Sequence, residues 1–325
     1  MRNRTYITLL IGILFVFYSC EDSRDTKVIK LAHGLDISHP VHKAMVFMGE
    51  RLKEKSNGTL SLDIYPNQQL GTEREALELL QIGTVGMTKV STAVLENFVP
   101  ELRVLGLPFL FRDREHRFAV LEGEVGEYFL NASVDKRLKG LTFYDAGSRS
   151  FYTKTRVETP EDLDGLKIRV MESNTAINMV ESLGGSPTPI SWGELYTALQ
   201  QGIVDGAENN LPSFYLSRHY EICKFHVLDE HTAVPDELIV STIVWKDLSP
   251  QEQQWLKEAA VESAEYQKEI WRESELEALA ELKKNGVEII TPDKELFEER
   301  VDGLYKEFSS DPQMKDLIQR IQAVK

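Results

Sequence analysis

The chain has 325 residues, of which 42% are hydrophobic, and its formal net charge at pH 7 is −15. This length supplies enough apolar residues for two domains that each have a core. The acidic balance, with no basic face to neutralise phosphates, argues against nucleic acid as a partner. A few arginines and lysines in one cleft can still bind a small anion.

The first segment has the features of an export signal. Arg2 and Arg4 precede an almost unbroken apolar run from Ile7 to Tyr18. That run is shorter than the ~20 residues that a membrane-spanning helix needs, so it predicts a signal rather than a transmembrane helix. The sequence Ser19-Cys20 at its end resembles a bacterial lipobox. We therefore expect residues 1–19 to be removed and Cys20 to carry lipid, with an ordinary cleaved signal as the alternative.

Cysteine usage agrees with this expectation. The chain contains two cysteines, Cys20 and Cys223. If Cys20 is lipidated, Cys223 has no partner for a disulfide, and the exported protein must be held together by its core. Loss of Arg2 and Arg4 with the signal would remove two positive charges from −15 and leave the mature chain at −17.

A β-α-β-α-β succession follows the signal. Its predicted segments are the strand Val28–Leu31, the one-sided apolar helix Val41–Leu52, the alternating strand Leu60–Ile64, the helix Glu75–Ile82 and the strand Met87–Val90. Such a succession is typical of a largely parallel sheet with helices on both faces.

A similar succession begins again near Leu141. It runs through a strand at Ile168, helices at 174–183 and 192–201, and a strand at 204–207. Two α/β units joined by two chain crossings would enclose a cleft. We predict a first domain of residues 27–146 plus about 235–272, and a second of residues 147–234 plus about 273–325.

One long helix is predicted late in the chain. Ser249 can cap its N-terminus, Pro250 suits the first helical position, and Glu252 completes a capping box. No helix breaker follows until Asn285-Gly286, a typical C-terminal stop. At 1.5 Å per residue the helix would be roughly 50 Å long, which exceeds the width of one small domain.

An arginine on a strand marks the predicted ligand site. Leu166, Ile168 and Val170 indicate a buried strand, with Arg169 on the opposite face. A second strand, Val204–Ala207, ends in the polar cluster Glu208-Asn209. Because an arginine fixed on a strand presents a rigid fork of donors, it fits a carboxylate better than a lysine does.

The pairing of GLKIR with VDGAEN resembles the solute-binding proteins of tripartite ATP-independent periplasmic (TRAP) transporters, the DctP family. Three further segments resemble this family and follow in the expected order: Gln69–Glu75, Leu107–Phe111 and Gly147–Tyr152. The resemblance implies a two-domain α/β periplasmic-binding-protein fold of the TRAP type. It also implies a central cleft, a long helix that spans both domains, and delivery of a ligand to membrane permease subunits.

The resemblance assigns roles to four residues of the second domain. Arg169 would pair with the ligand carboxylate, and Arg149 would share that carboxylate or bind a nearby hydroxyl, with a domain salt bridge as its alternative. Asn209 would hydrogen-bond the ligand. Trp192 would lie against the ligand, since an indole suits the apolar face of a pyranose ring; packing of its helix is the alternative.

Three polar residues of the first domain are further candidates. Glu73 stands at a helix start, Lys89 interrupts an apolar strand, and His33 ends the first strand, where ligands collect in open α/β folds. Glu73 and His33 could accept from sugar hydroxyls, and Lys89 could donate. The alternatives are a helix-capping carboxylate, a solvated lysine and a structural histidine.

Other chemistry finds little support. His39 and His42 have the spacing of metal ligands, but no third ligand is evident and a helix start at Pro40 explains them, so we expect no metal. The chain lacks a glycine-rich phosphate loop and an elbow-type nucleophile, so we expect neither a cofactor nor an enzyme. A ligand sensor that reports to a membrane receptor would share every residue named here and stays open.

The ligand class rests on a narrower resemblance. The segments AHGLDISHPVHKAM, TKVSTAVLENF, YDAGSRSFYTK and DEHTAVPD resemble the uronate-binding branch. We therefore expect a monomeric periplasmic protein, bound to the membrane through its lipid anchor only, that binds D-glucuronate or D-galacturonate. Sialic acid, a keto acid or a C4-dicarboxylate are the alternative ligands.

Overall fold

A computed structural model describes residues 26–325, so the predicted signal and Cys20 lie outside the described residues. The described chain forms two mixed sheets. The first has the order β2-β1-β3-β10-β4, and its strands are β1 (Lys27–Ala32), β2 (Leu60–Tyr65), β3 (Met87–Ser91), β4 (Leu138–Tyr144) and β10 (Asp236–Ser241).

The second sheet has the order β11-β9-β5-β8-β6-β7. Its strands are β5 (Ser150–Thr153), β6 (Lys167–Val170), β7 (Ser186–Pro189), β8 (Gly206–Asn209), β9 (Phe225–Val227) and β11 (Glu288–Ile290). The helices are α1 (Pro40–Lys55), α2 (Glu73–Gln81), α3 (Thr92–Leu95), α4 (Arg114–Glu122), α5 (Glu124–Ala132), α6 (Asn174–Ser182), α7 (Trp192–Gln201), α8 (Leu211–Leu216), α9 (Thr242–Asp247), α10 (Pro250–Lys284), α11 (Lys294–Arg300), α12 (Asp302–Phe308) and α13 (Pro312–Ala323).

Each sheet contains one strand that breaks the predicted parallel arrangement. Strand β10 runs antiparallel to β3 and β4, and β5 runs antiparallel to β8 and β9. Strand β10 follows β9, after the chain crosses from the second domain to the first, and β5 follows β4, after it crosses from the first domain to the second. The chain therefore enters each sheet at the edge that faces the cleft. At this edge Asp236 pairs with Ser91, and Ser150 pairs with Asn209. A strand that starts at that edge has to run against the parallel strands that end there.

Helix α10 confirms the predicted long helix. The Ser249 side chain accepts a hydrogen bond from the Glu252 backbone, and the Glu252 carboxylate accepts one from Ser249 N at 2.7 Å. The helix contains 35 residues, which corresponds to roughly 50 Å. It contacts α1 and β4 of the first domain and α8 of the second, so it links the two.

The C-terminal helix departs from the predicted domain boundary. The sequence predicts that residues from about 273 to 325 belong to the second domain, but α13 packs on the first. The His116 ring lies 3.0 Å from Ile321 O, and Arg112 donates to Gln322 O at 3.1 Å. Helix α11 stays with the second domain, where Arg300 pairs with Glu161. The chain thus returns once more to the first domain at its end.

Apolar packing holds each domain. In the first, the buried face of α1, including Met45, Met48 and Leu52, packs with α10. In the second, Tyr152, Leu199 and the free, buried Cys223 belong to one cluster. Of the helices described between residues 26 and 325, none has the length and apolar character needed to cross a membrane.

Candidate functional site

A cavity lies between the two domains, at the edges where the parallel strands of both sheets end. The space between its walls, including the part that is open to solvent, has a volume of about 720 Å³. Both domains and α10 contribute to its wall, whose principal side chains are Leu35, His39, Gln68, Glu73, Lys89, Arg149, Arg169, Trp192, Asn209, Ser213, Asp236 and Trp271. Six of the seven ligand contacts predicted from the sequence therefore line one cavity.

Arg169 presents an unpaired positive charge to this cavity. Its side chain on β6 is buried, and its Nε donates to Ile190 O at 2.8 Å. Its buried Nη1 has no hydrogen-bond partner among the described residues, and none of their carboxylates lies within ion-pair distance. Burial lowers the pKa of the guanidinium, yet an arginine stays charged. A buried charge without a counterion is unfavourable, so this position suits an anion.

Arg149, in contrast, already has its counterion. Its Nε and Nη2 donate to the two carboxylate oxygens of Glu208 at 2.5 and 2.8 Å. Its Nη1 donates to Asn209 Oδ1 at 2.9 Å, and that oxygen also accepts from Asn210 N at 2.9 Å. Asn209 itself lines the cavity, and the Arg149 guanidinium is fixed in position.

Behind Arg149, further charged groups of the second domain follow one another: Glu208, His231 and Asp229. His231 Nε2 lies 3.6 Å from Glu208 Oε2, and its Nδ1 lies 2.6 Å from Asp229 Oδ2. Burial disfavours the charged form of Glu208, but Arg149 and His231 outweigh it and hold the pKa of Glu208 at about 2. Burial likewise opposes the charge of His231, but Asp229 and Glu208 raise its pKa to about 9. Both groups are therefore charged at neutral pH.

Lys89 forms a second buried charge cluster. Its Nζ lies 2.8 Å from Glu73 Oε1 and 3.1 Å from Asp236 Oδ2. Burial works to lower the pKa of Lys89, but Asp236 and Glu73 outweigh it and raise that pKa. Since Lys89 is 4% exposed, the alternative of a solvated lysine is excluded. Thr72 and Glu75 cap the N-terminus of α2. Glu73 is therefore not needed as the cap, and its side chain lines the cavity.

Trp192 stands at the first position of α7 and is half-buried. Its ring lies 5.1 Å from the His219 ring and 5.8 Å from the Arg169 guanidinium. The indole packs on its own domain and also lines the cavity.

His33 requires a correction. It does not line the cavity. Its Nδ1 accepts from Leu35 N at 3.1 Å, and its Nε2 lies 3.0 Å from His42 Nδ1. Burial, with His42 and Lys89 nearby, lowers its pKa to about 3. Both ring nitrogens are used inside the first domain, so the geometry fits the structural alternative and does not support His33 as a ligand contact.

The sequence-based prediction missed several side chains of the site: His39, Gln68, Ser213, Asp236 and Trp271 in the cavity wall, and Glu208 behind it. For His39 the sequence predicts a place at a helix start before Pro40 and no ligand contact. It caps α1, where its Nδ1 accepts from Val41 N at 3.3 Å. A signal for Glu208 was present, because a carboxylate inside the buried strand β8 needs a cation. Within residues 26–325, no group of three or more His, Cys, Asp or Glu side chains is placed to hold a metal.

Comparisons with known proteins agree with this geometry. Residues 31–311 match the family described as bacterial extracellular solute-binding protein, family 7, or DctP. The chain is 39% identical over 306 residues to the uncharacterized protein YiiZ of Salmonella typhimurium, covering 93% of each. The chain belongs to the DctP family, and the resemblance to TRAP solute-binding proteins is confirmed.

Two solved structures share the whole fold. One is a TRAP periplasmic solute-binding protein from Xanthobacter autotrophicus Py2 with bound β-D-galacturonate. It has a TM-score of 0.89 and 38% identity, and the match covers 91% of this chain and 100% of the other. The second, from Pseudomonas putida F1 with bound D-glucuronate, has a TM-score of 0.89 and 35% identity over 92% and 98% of the two chains. The predicted fold class is confirmed.

Proposed function

We propose that the protein binds a sugar-acid monocarboxylate, D-glucuronate or D-galacturonate, in the cavity between its domains. The observation that carries this proposal is the buried, unpaired guanidinium of Arg169 in a cavity whose other buried cations have carboxylate partners. One ligand carboxylate supplies the missing charge. The uronate-bound structures from X. autotrophicus and P. putida support the choice of ligand class.

The polar groups around Arg169 match the rest of a uronate. The carboxylate binds Arg169, with the fixed Arg149 beside it. The sugar hydroxyls donate to Glu73 and Asp236 and accept from Lys89 and Asn209. Trp192 offers an aromatic face to the pyranose ring.

Binding is coupled to domain closure. Residues from both domains meet around the cavity, as where Asn97 Nδ2 of the first domain donates to Glu172 O of the second at 2.6 Å. Closure removes Arg169 from water, which is costly while the charge is unpaired. A ligand that brings the counterion stabilises the closed state in proportion to that difference. The closed complex would then deliver its ligand, chemically unchanged, to the membrane permease.

A panel of small acids tests this function. We expect D-glucuronate or D-galacturonate to raise the melting temperature, because a ligand at about 100 times its Kd adds roughly 2.7 kcal/mol to folding stability. Succinate and malate should have little effect, since a second carboxylate would face Glu73 and Asp236. Glucose and galactose should also fail, because they leave Arg169 unpaired. Thermal unfolding followed by calorimetric titration gives the answer, and stabilisation by dicarboxylates but not by uronates would contradict the ligand assignment.

We also propose that lipid on Cys20 is the sole membrane attachment of a monomeric periplasmic protein. The lipobox-like Ser19-Cys20 supports this, and the mature chain is too acidic to adhere to anionic lipid. A Cys20→Ser variant should move from the membrane fraction to the soluble fraction of fractionated cells. Wild-type protein that is wholly soluble after export would contradict the anchor and indicate an ordinary cleaved signal.

A further inference from the structure

His39 lies where the two domains meet at the ligand cavity. It belongs to the first domain, and its Nε2 is 3.3 Å from Ser213 Oγ of the second. Its side chain is 3% exposed, and its ring lies 5.7 Å from that of Trp271 on α10. His39 and Ser213 both line the cavity, so their contact forms part of the wall that encloses a ligand.

The hydrogen bonds of His39 define its protonation state. Its Nδ1 accepts from Val41 N at 3.3 Å at the start of α1, so this nitrogen must keep its lone pair. The ring proton is then on Nε2, which donates to Ser213 Oγ. A second proton would have to go on Nδ1, where it would oppose the Val41 N–H. It would also stand at the positive end of a 16-residue helix.

The groups that surround the ring act in the same direction. Burial has the largest effect, and the positive charges of Lys89 on β3 and Lys43 on α1 also disfavour protonation, as would His33 after β1 if it were protonated. Asp36, in the loop before α1, opposes them. Ser213 and Trp271 bring no charge. The balance lowers the pKa of His39 to about 3 in this structure, where the ring is in contact with Ser213.

We propose that His39 must be neutral for the two domains to close, so that ligand binding expels a proton from this residue in acidic solution. The proposal rests on the proposed function of the cavity. When the domains separate, Ser213 leaves the ring and water reaches Nε2. The pKa of His39 then rises, because burial is the largest cause of its lowering, while Lys89 and Lys43 remain beside the ring. Once the solution is acidic enough to protonate the open form, closure requires loss of that proton, so affinity falls as pH falls.

Titration calorimetry with D-glucuronate and D-galacturonate tests the linkage. Affinity should be weaker at about pH 5.5 than at about pH 7.5, by up to about tenfold, the limit reached if opening restores the ordinary pKa of 6.5. At about pH 5.5, buffers of different ionisation enthalpy should report a net release of protons, up to about one per ligand. Wild-type protein that binds with no proton release would overturn the proposal without the need for any variant.

Three variants identify the residue. His39→Gln keeps an amide donor for Ser213 and cannot titrate, so it should lose the pH dependence and the proton release. Ser213→Ala removes the acceptor, so it should bind several-fold more weakly at every pH and keep the pH dependence. His42→Gln is the matched control, because His42 pairs with His33 inside the first domain, and it should behave as wild type. A His39→Gln protein that keeps the pH dependence of the wild type would overturn the proposal.

Failure of uronate binding and failure of the His39 proton linkage give different results. If neither uronate binds the wild-type protein at about pH 7.5, the proposed function fails. The linkage is then tested with whichever acid of the panel binds, because it depends on closure and not on the sugar. If a uronate binds and its affinity does not change between the two pH values, the linkage fails and the proposed function stands.

Discussion

Replacement of Arg169 by alanine is expected to reduce uronate affinity roughly 30-fold to several thousand-fold, because loss of a desolvated charged hydrogen-bond pair costs about 2–5 kcal/mol. The same change should leave the free protein as stable as wild type or more so. Arg169 has no carboxylate partner among the described residues, so alanine removes a buried unpaired charge and breaks no ion pair. Calorimetric titration and thermal unfolding measure the two effects.

Two further variants make the Arg169 test specific. Arg169→Lys keeps the charge without the fork of donors, so it should bind more weakly than wild type but better than Arg169→Ala. Arg272→Ala removes an exposed arginine from α10 and should change neither affinity nor stability. Unchanged affinity in Arg169→Ala would place the ligand carboxylate elsewhere. A large loss of stability would show instead that Arg169 holds the fold together.

The sequence predicted the parts of the site that local patterns encode. Arg169 is outward-facing on a short apolar strand, and Lys89 interrupts another, so each stands out against its neighbours. The capping residues Ser249 and Glu252 define the start of α10 in the same local way. These features depend on neighbours in the chain, which a periodic pattern reports directly.

The partners of these residues depend on contacts between distant segments. Asp236 approaches Lys89 only because β10 returns from the second domain and pairs with β3. His39 reaches Ser213 across the cleft, 174 positions further along the chain. No local pattern carries this information, and the same holds for the return of α13 to the first domain. The position of His33 has a related cause, since its engagement with His42 depends on how the loop after β1 folds back.

Replacement of Glu208 by glutamine is expected to destabilise the protein by about 3–5 kcal/mol, because it leaves a buried charge without its partner. Glu208 is 1% exposed and binds Arg149 through both carboxylate oxygens. Glutamine preserves the shape but not the charge, and its amide NH₂ would face a guanidinium donor. The melting temperature should fall on the order of 10 °C, and ligand affinity should fall with it as Arg149 loses its fixed position.

The stability of the wild-type protein should also depend on pH through His231, which supplies a signature that simple loss of packing would not produce. The folded pKa of His231 is raised to about 9, above its ordinary 6.5, so its stabilisation is complete below about pH 6.5 and is lost as pH rises through about 9. Because Glu208 contributes to that shift, the decline should be smaller in Glu208→Gln. Glu299→Gln, an exposed change on α11, should match wild type at every pH.

Equal stability of Glu208→Gln and wild type would contradict the prediction for Glu208. It would mean that Arg149 does not need Glu208 as its counterion. A ligand carboxylate shared between Arg149 and Arg169 would then fit the cavity better.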